Sequence, residues 1–234
     1  MTKGRIVIIT ALIIALPVVA AISASFATRV MYEKKNQELM LSLLELHYQD
    51  RCQLFEEENK HANSVDVAFI GDSLTEGYDV KTYYPQFNVV NRGIGGDTSF
   101  GVEKRLKVSA YDIKPKVVTL LIGANNQDTL MDNYENILKG FKENIPETKV
   151  VLLSLTSMAK DWAVNNKKAQ DNNVKIKTYA EEYNYTYVDL YNPLLDIETN
   201  KLKLEYTTDG GHFTPLGYEK ITSIVTPVLS NLLS

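Results

Sequence analysis

A single cysteine, Cys52, stands in a chain of 234 residues, so no internal disulfide can form and cysteine usage does not report a redox compartment. Histidine is nearly as scarce. His47, His61 and His212 are the whole complement, and no pair of them has the spacing of metal ligands, so no structural or catalytic metal is expected. Excess positive charge is missing too: the formal net charge is -4 and the pI about 5.5, which leaves no basic stripe for nucleic acid. The segment Gly93-Ile94-Gly95-Gly96 carries Thr98 where a dinucleotide fingerprint needs its third glycine. No Lys-Ser or Lys-Thr follows a glycine loop as a Walker A motif requires. No cofactor is therefore expected. Internal repeats and low-complexity linkers are also absent.

What the chain does have begins at its basic tip. Lys3 and Arg5 precede an uncharged stretch, Ile6 to Thr28, rich in Ile, Leu, Val and Ala, which approaches the roughly 20 residues that cross a bilayer as a helix. The expectation is an uncleaved membrane anchor over residues 1–30 with the catalytic domain outside the cytoplasm. The alternative is secretion after signal-peptide cleavage, because Ala-Ile-Ser-Ala at residues 21–24 offers a small-residue cleavage site. Arg29, Lys34 and Lys35 weaken the charge asymmetry that sets topology. Residues 31–63 read as a helical spacer packing on the domain through a stripe of Leu39, Leu43, Leu46 and Leu54. His47 and His61 are expected as exposed helix residues.

Residues 64–234 form the third segment. Short apolar runs alternate there with helical patterns: Val65 to Ile70, Asn88 to Val90, Val117 to Ile122, Lys149 to Leu155 and Thr186 to Leu190. Continuous apolar runs suit parallel strands covered on both faces, and the expected fold class is α/β, a three-layer α/β/α sandwich. With 44% hydrophobic residues the chain is long enough for one such domain.

The first run stops on Gly71-Asp72-Ser73-Leu74. An apolar strand that breaks at Gly beside a hydroxyl residue is where an α/β protein exposes a nucleophile. Three further segments follow in order: Asn91-Arg92-Gly93-Ile94-Gly95-Gly96-Asp97-Thr98, then Gly123-Ala124-Asn125-Asn126, then Asp209-Gly210-Gly211-His212. Together they supply a hydroxyl, backbone and amide donors, an imidazole and a carboxylate, the parts needed to attack a carbonyl and hold an oxyanion. Ser73, Gly96 and Asn125 each fall just past an expected strand end, the edge where parallel sheets form their ligand crevices. Asp209 and His212 share one short loop, so the carboxylate can reach the ring.

These four blocks resemble the signature blocks of the SGNH (GDSL-type) hydrolase superfamily of esterases, lipases and acylhydrolases, with matches at Ser73, Gly96, Asn125 and His212. The likeness runs from about Tyr48 to the C-terminus. Two positions depart from the usual pattern: Asn126 stands where Asp is more common, and Gly211 where a bulky apolar residue often precedes the histidine. The resemblance implies a mostly parallel five-stranded sheet of flavodoxin-like topology. It implies Ser73 as nucleophile, His212 as base and Asp209 as its orienting carboxylate, with Ser73 N–H, Gly96 N–H and the Asn125 amide as oxyanion hole. Asp72 and Asp97 are expected to support the loops from behind. The expected function is a serine esterase removing small acyl groups, acetyl above all, from carbohydrate or cell-envelope substrates. Two alternatives stay open: a lysophospholipase or thioesterase for longer acyl chains, and a catalytically silent, membrane-anchored glycan-binding module.

Overall fold

The computed structural model describes the backbone of residues 3–234 and the side chains of residues 25, 26 and 28–234. It divides into two compact units, Met1–Leu46 and His47–Ser234. Helix α1, Lys3–Asn59, runs through both. Among the described residues no helix is long and apolar enough to cross a membrane; the expected anchor over Ile6–Thr28 lies almost wholly outside the described side chains.

The second unit is built on five short parallel strands, β1 Val67–Gly71, β2 Val89–Gly93, β3 Val117–Leu121, β4 Lys149–Leu153 and β5 Thr186–Val188. Their order is β2-β1-β3-β4-β5. The order reverses between β1 and β3, and crevices for ligands open at such switch points, outside the carboxyl ends of the strands. Successive side chains of a strand point to opposite faces, and both faces here are covered. Ala68, Ile70, Val118, Leu120, Val150 and Leu152 join one buried cluster. Val67, Phe69, Val117, Leu121, Val151 and Leu153 join another. That double burial is why the strands read as unbroken apolar runs.

The first face packs against α4 Ser99–Lys104, α5 Tyr134–Asn144 and α6 Asn166–Tyr183 through Val102, Ile137, Phe141 and Ile176. The second is covered by α2 Ser73–Glu76, α3 Val80–Tyr83 and α7 Pro215–Leu233 through Leu74, Val80, Ile221, Val225 and Leu229. Pro215 opens α7 where a missing N–H costs nothing. A short antiparallel pair, β6 Leu195–Asp196 and β7 Lys201–Leu202, lies outside the main sheet.

The turns of α1 from His47 onward lie within this unit. Leu39, Leu43, Leu46 and Leu54 are exposed. The buried face is instead Tyr48, Cys52 and Phe55, which meet Ile94 and Val108, with Arg51, Arg92 and Arg105 each presenting a guanidinium to the Phe55 ring. Aromatic and cationic side chains share this contact, a composition that apolar periodicity does not detect. His47 differs from expectation as well: it is half-buried and its Nε2 lies 3.1 Å from Glu76 Oε2. His61 is exposed, in the turn just past α1.

Candidate active site

Gly71 ends β1 because nothing larger fits. A Cβ there would lie 2.1 Å from Thr75 Oγ1 and 2.3 Å from the Leu121 carbonyl. The chain can therefore turn at once into α2, whose first residue is Ser73. Asp72 caps this turn: it is buried, and its side chain accepts from Leu74 N at 3.0 Å and from the backbone of Ala124. It so ties the serine turn to the Asn125 loop. Burial pushes the Asp72 carboxyl up to about 6, against the bonds from these N–H groups.

Ser73 Oγ lies 3.0 Å from His212 Nε2, and His212 Nδ1 lies 2.7 Å from Asp209 Oδ2. The other oxygen of Asp209 accepts the backbone N–H groups of Gly211 at 2.9 Å and His212 at 2.8 Å. Partial desolvation opposes ionisation, yet the ring and the two backbone donors hold the Asp209 carboxyl well below the usual range. An ionised carboxylate only accepts, so Nδ1 carries the proton and Nε2 is left to accept from the Ser73 hydroxyl. The loop itself is held from behind, where Thr207 Oγ1 donates to the His212 carbonyl at 2.8 Å and Phe213 is buried against Tyr218.

Gly96 has φ +76°, a left-handed conformation that glycine adopts without a Cβ penalty. The N–H groups of Ser73 and Gly96 donate to no protein acceptor among the described residues. Asn125 Nδ2 donates to the Asp97 carbonyl at 2.8 Å; a side-chain amide has two N–H bonds, so one remains. The Asp97 side chain accepts from Thr98 N at 2.8 Å and from Arg105 Nε at 2.8 Å. At the departing position, Asn126 pairs with α4 by donating to Ser99 Oγ at 2.9 Å.

The structure thus brings Ser73, Asp209, His212, Gly96 and Asn125 to the carboxyl edge of the sheet, with Asp72 and Asp97 bonded beneath. Three participants carried no sequence signal. Arg105 is buried and donates to the carbonyls of Gly71 at 2.9 Å and Arg92 at 2.8 Å besides Asp97. In sequence it is one of three consecutive charged residues, Glu103, Lys104 and Arg105, between the apolar Val102 and Leu106. Glu76 accepts from Gly95 N at 2.5 Å and faces Arg51 Nε at 3.3 Å, fastening the Gly96 loop to α1. Trp162 lines the cavity beside Ser73, together with Leu74, Leu121, Leu155 and Met158.

That cavity measures ≈ 40 Å³ and is lined mainly by apolar side chains. Asp209 and His212, by contrast, keep 46% of their side-chain surface in solvent. The site is narrow and apolar on one side of Ser73 and open on the other.

The profile of the GDSL-like Lipase/Acylhydrolase family matches residues 69–220. The platelet-activating factor acetylhydrolase IB subunit alpha2 of Rattus norvegicus is 27% identical over 178 residues, 72% of this chain and 77% of that protein. Among solved structures, a provisional platelet activating factor from Streptococcus pneumonia superposes with a TM-score of 0.76 at 25% identity, over 82% of this chain and 97% of the other. An acetyl xylan esterase from Geobacillus stearothermophilus shares the fold at 19% identity, with a TM-score of 0.59 over 72% and 95% of the two chains.

Proposed function

Since this chain belongs to the GDSL-like lipase/acylhydrolase family and is an ester hydrolase of that type, we propose that it removes small acyl groups, acetyl first among them, through Ser73, His212 and Asp209. The observation that carries this reading is the unbroken line from Ser73 Oγ through the imidazole to Asp209, 3.0 Å and 2.7 Å long, beside a cavity of ≈ 40 Å³.

His212 Nε2 takes the Ser73 proton as Oγ bonds to the ester carbonyl carbon. The carbonyl oxygen becomes an oxyanion, received by the N–H groups of Ser73 and Gly96 and the free N–H of Asn125. Collapse of the tetrahedral adduct breaks the bond to the alcohol, which leaves with the proton from Nε2. Water, deprotonated by the same nitrogen, then cleaves the acyl-serine to free carboxylate and restores the hydroxyl. Asp209 stays ionised throughout and stabilises the imidazolium formed at each attack.

A small cavity of ≈ 40 Å³ with apolar walls suits a short acyl chain, and the acetylhydrolase relatives support an acetyl group. The open side suits a bulky alcohol that stays in solvent, such as an acetylated carbohydrate or cell-envelope polymer. We further infer that Ile6–Thr28 anchors the enzyme in a membrane with its catalytic unit outside the cytoplasm, on the strength of an uncharged stretch behind Lys3 and Arg5.

The test is fluorophosphonate labelling together with a p-nitrophenyl ester series from acetyl to palmitoyl. Labelling that Ser73→Ala abolishes, with turnover greatest on acetate, supports the assignment. Turnover greatest on long chains would replace it with a lysophospholipase or thioesterase.

A further inference from the structure

Gly211 stands immediately before His212 without a side chain, and the space beside it is faced from elsewhere in the chain. A Cβ on Gly211 would lie 3.5–3.6 Å from Cγ, Cδ2 and Cε2 of Trp162, so the indole faces the glycine next to His212 across the space that a side chain there would occupy. Trp162 belongs to a separate 3-10 segment, Lys160–Asn165, between β4 and α6.

That segment is bonded to the histidine loop. Ala159 N donates to the Gly210 carbonyl at 2.8 Å, and Lys160 Nζ donates to the Thr208 carbonyl at 2.8 Å. Gly210, at φ +106°, brings the two backbones so close that a Cβ would sit 2.4 Å from the Ala159 carbonyl. The tryptophan and the catalytic histidine therefore ride on one joined pair of loops. Leu74, Leu121, Leu155 and Met158 close the rest of the cavity from α2 and the ends of β3 and β4, and they are buried. Trp162 alone among these large apolar walls keeps 40% of its surface in solvent, so beyond the indole lies water, not core.

We propose that Trp162, facing Gly211 and lining the cavity beside Ser73, is the specificity-determining residue that limits the acyl group to about acetyl size. The proposal rests on the acyl-ester reading of Ser73 given above. Removing the indole opens the small cavity outward into a groove along Gly211, where additional methylenes lie against apolar walls. Each methylene that gains such a site is worth about fourfold in kcat/KM.

The experiment measures kcat/KM for p-nitrophenyl acetate, butyrate and hexanoate, so that the leaving group is constant and only the acyl side changes. Wild type, Trp162→Ala, Trp162→Phe and the double variant Trp162→Ala/Gly211→Leu are compared, each checked for folding by thermal melt and for site integrity by fluorophosphonate labelling. Trp162→Ala is expected to raise the hexanoate-to-acetate ratio at least tenfold, Trp162→Phe by less, and the double variant to return toward wild type because leucine refills the same space from the other loop. A ratio within twofold of wild type in folded, labelled Trp162→Ala and Trp162→Phe overturns the proposal and leaves the esterase reading standing. Wild-type enzyme that neither labels nor turns over any ester overturns both.

Discussion

Asp72 is a buried carboxyl whose hydrogen-bond donors do not outweigh its desolvation. With the folded value at about 6 against 3.8 for the free group, the folded protein keeps a proton that the unfolded chain has released between those values. Stability credited to this group is therefore complete below about pH 4 and is lost as pH rises through 6. Asp72→Asn has no such proton to lose. Its stability relative to wild type is expected to improve by about 2 kcal/mol between pH 4 and 7.5, at 1.36 kcal/mol per unit, measured by urea unfolding at both pH values; a difference that does not move with pH contradicts the assignment. Asn125 is different in kind under the proposed mechanism, which aims its free amide N–H at charge that appears only during reaction. Asn125→Ala is expected to lower kcat by about 10²- to 10³-fold with KM little changed, and a pure KM effect in steady-state kinetics would make it a ground-state contact. The residues proposed to react were legible in the sequence because such chemistry admits few residue types. Arg105, Glu76 and Trp162 were not, because each acts through atoms of segments far away along the chain and leaves no local pattern.

The strands show how legibility depends on environment. Val117–Leu121 and Lys149–Leu153 start where their apolar runs start, since burial on both faces demands such runs. Strand β2 continues past its apolar start into Asn91, Arg92 and Gly93, where polarity hides the strand. Asn91 spends its side chain on the carbonyls of Thr75 at 2.7 Å and Tyr78 at 2.8 Å, and Arg92 on Glu58 and Asn59. The final turns of α1 misled for the same reason, since their buried face is a phenylalanine set among arginines. Phe55 is fully buried and Leu54, next to it, is 44% exposed. Phe55→Ala is expected to cost about 3–5 kcal/mol and Leu54→Ala within about 0.5 kcal/mol, compared by denaturant midpoints. Equal losses would mean the leucine stripe carries the packing after all.

Across the whole molecule, the unit that holds every site residue begins at His47. A chain starting there is expected to keep esterase turnover and to leave the membrane fraction, while one starting after Asn59 loses Tyr48, Arg51 and Phe55 and fails to fold. Fractionation and turnover of the two truncations check this. N-terminal sequencing of membrane-bound full-length protein separates the anchor, which leaves Lys3 in place, from a cleaved signal peptide, which gives a start near Ser25. The line between Ser73 and His212 spans 139 positions, and the hydroxyl of Tyr218, beyond both, donates to the Leu74 carbonyl inside the nucleophile's own helix at 3.0 Å. Synthesis runs from the N-terminus, so the serine emerges long before its base, and the tyrosine that steadies the serine's helix comes later still. Until His212 and Tyr218 have been made, the nascent chain carries Ser73 without the ring that would accept its proton and without the bond that ties its helix to α7.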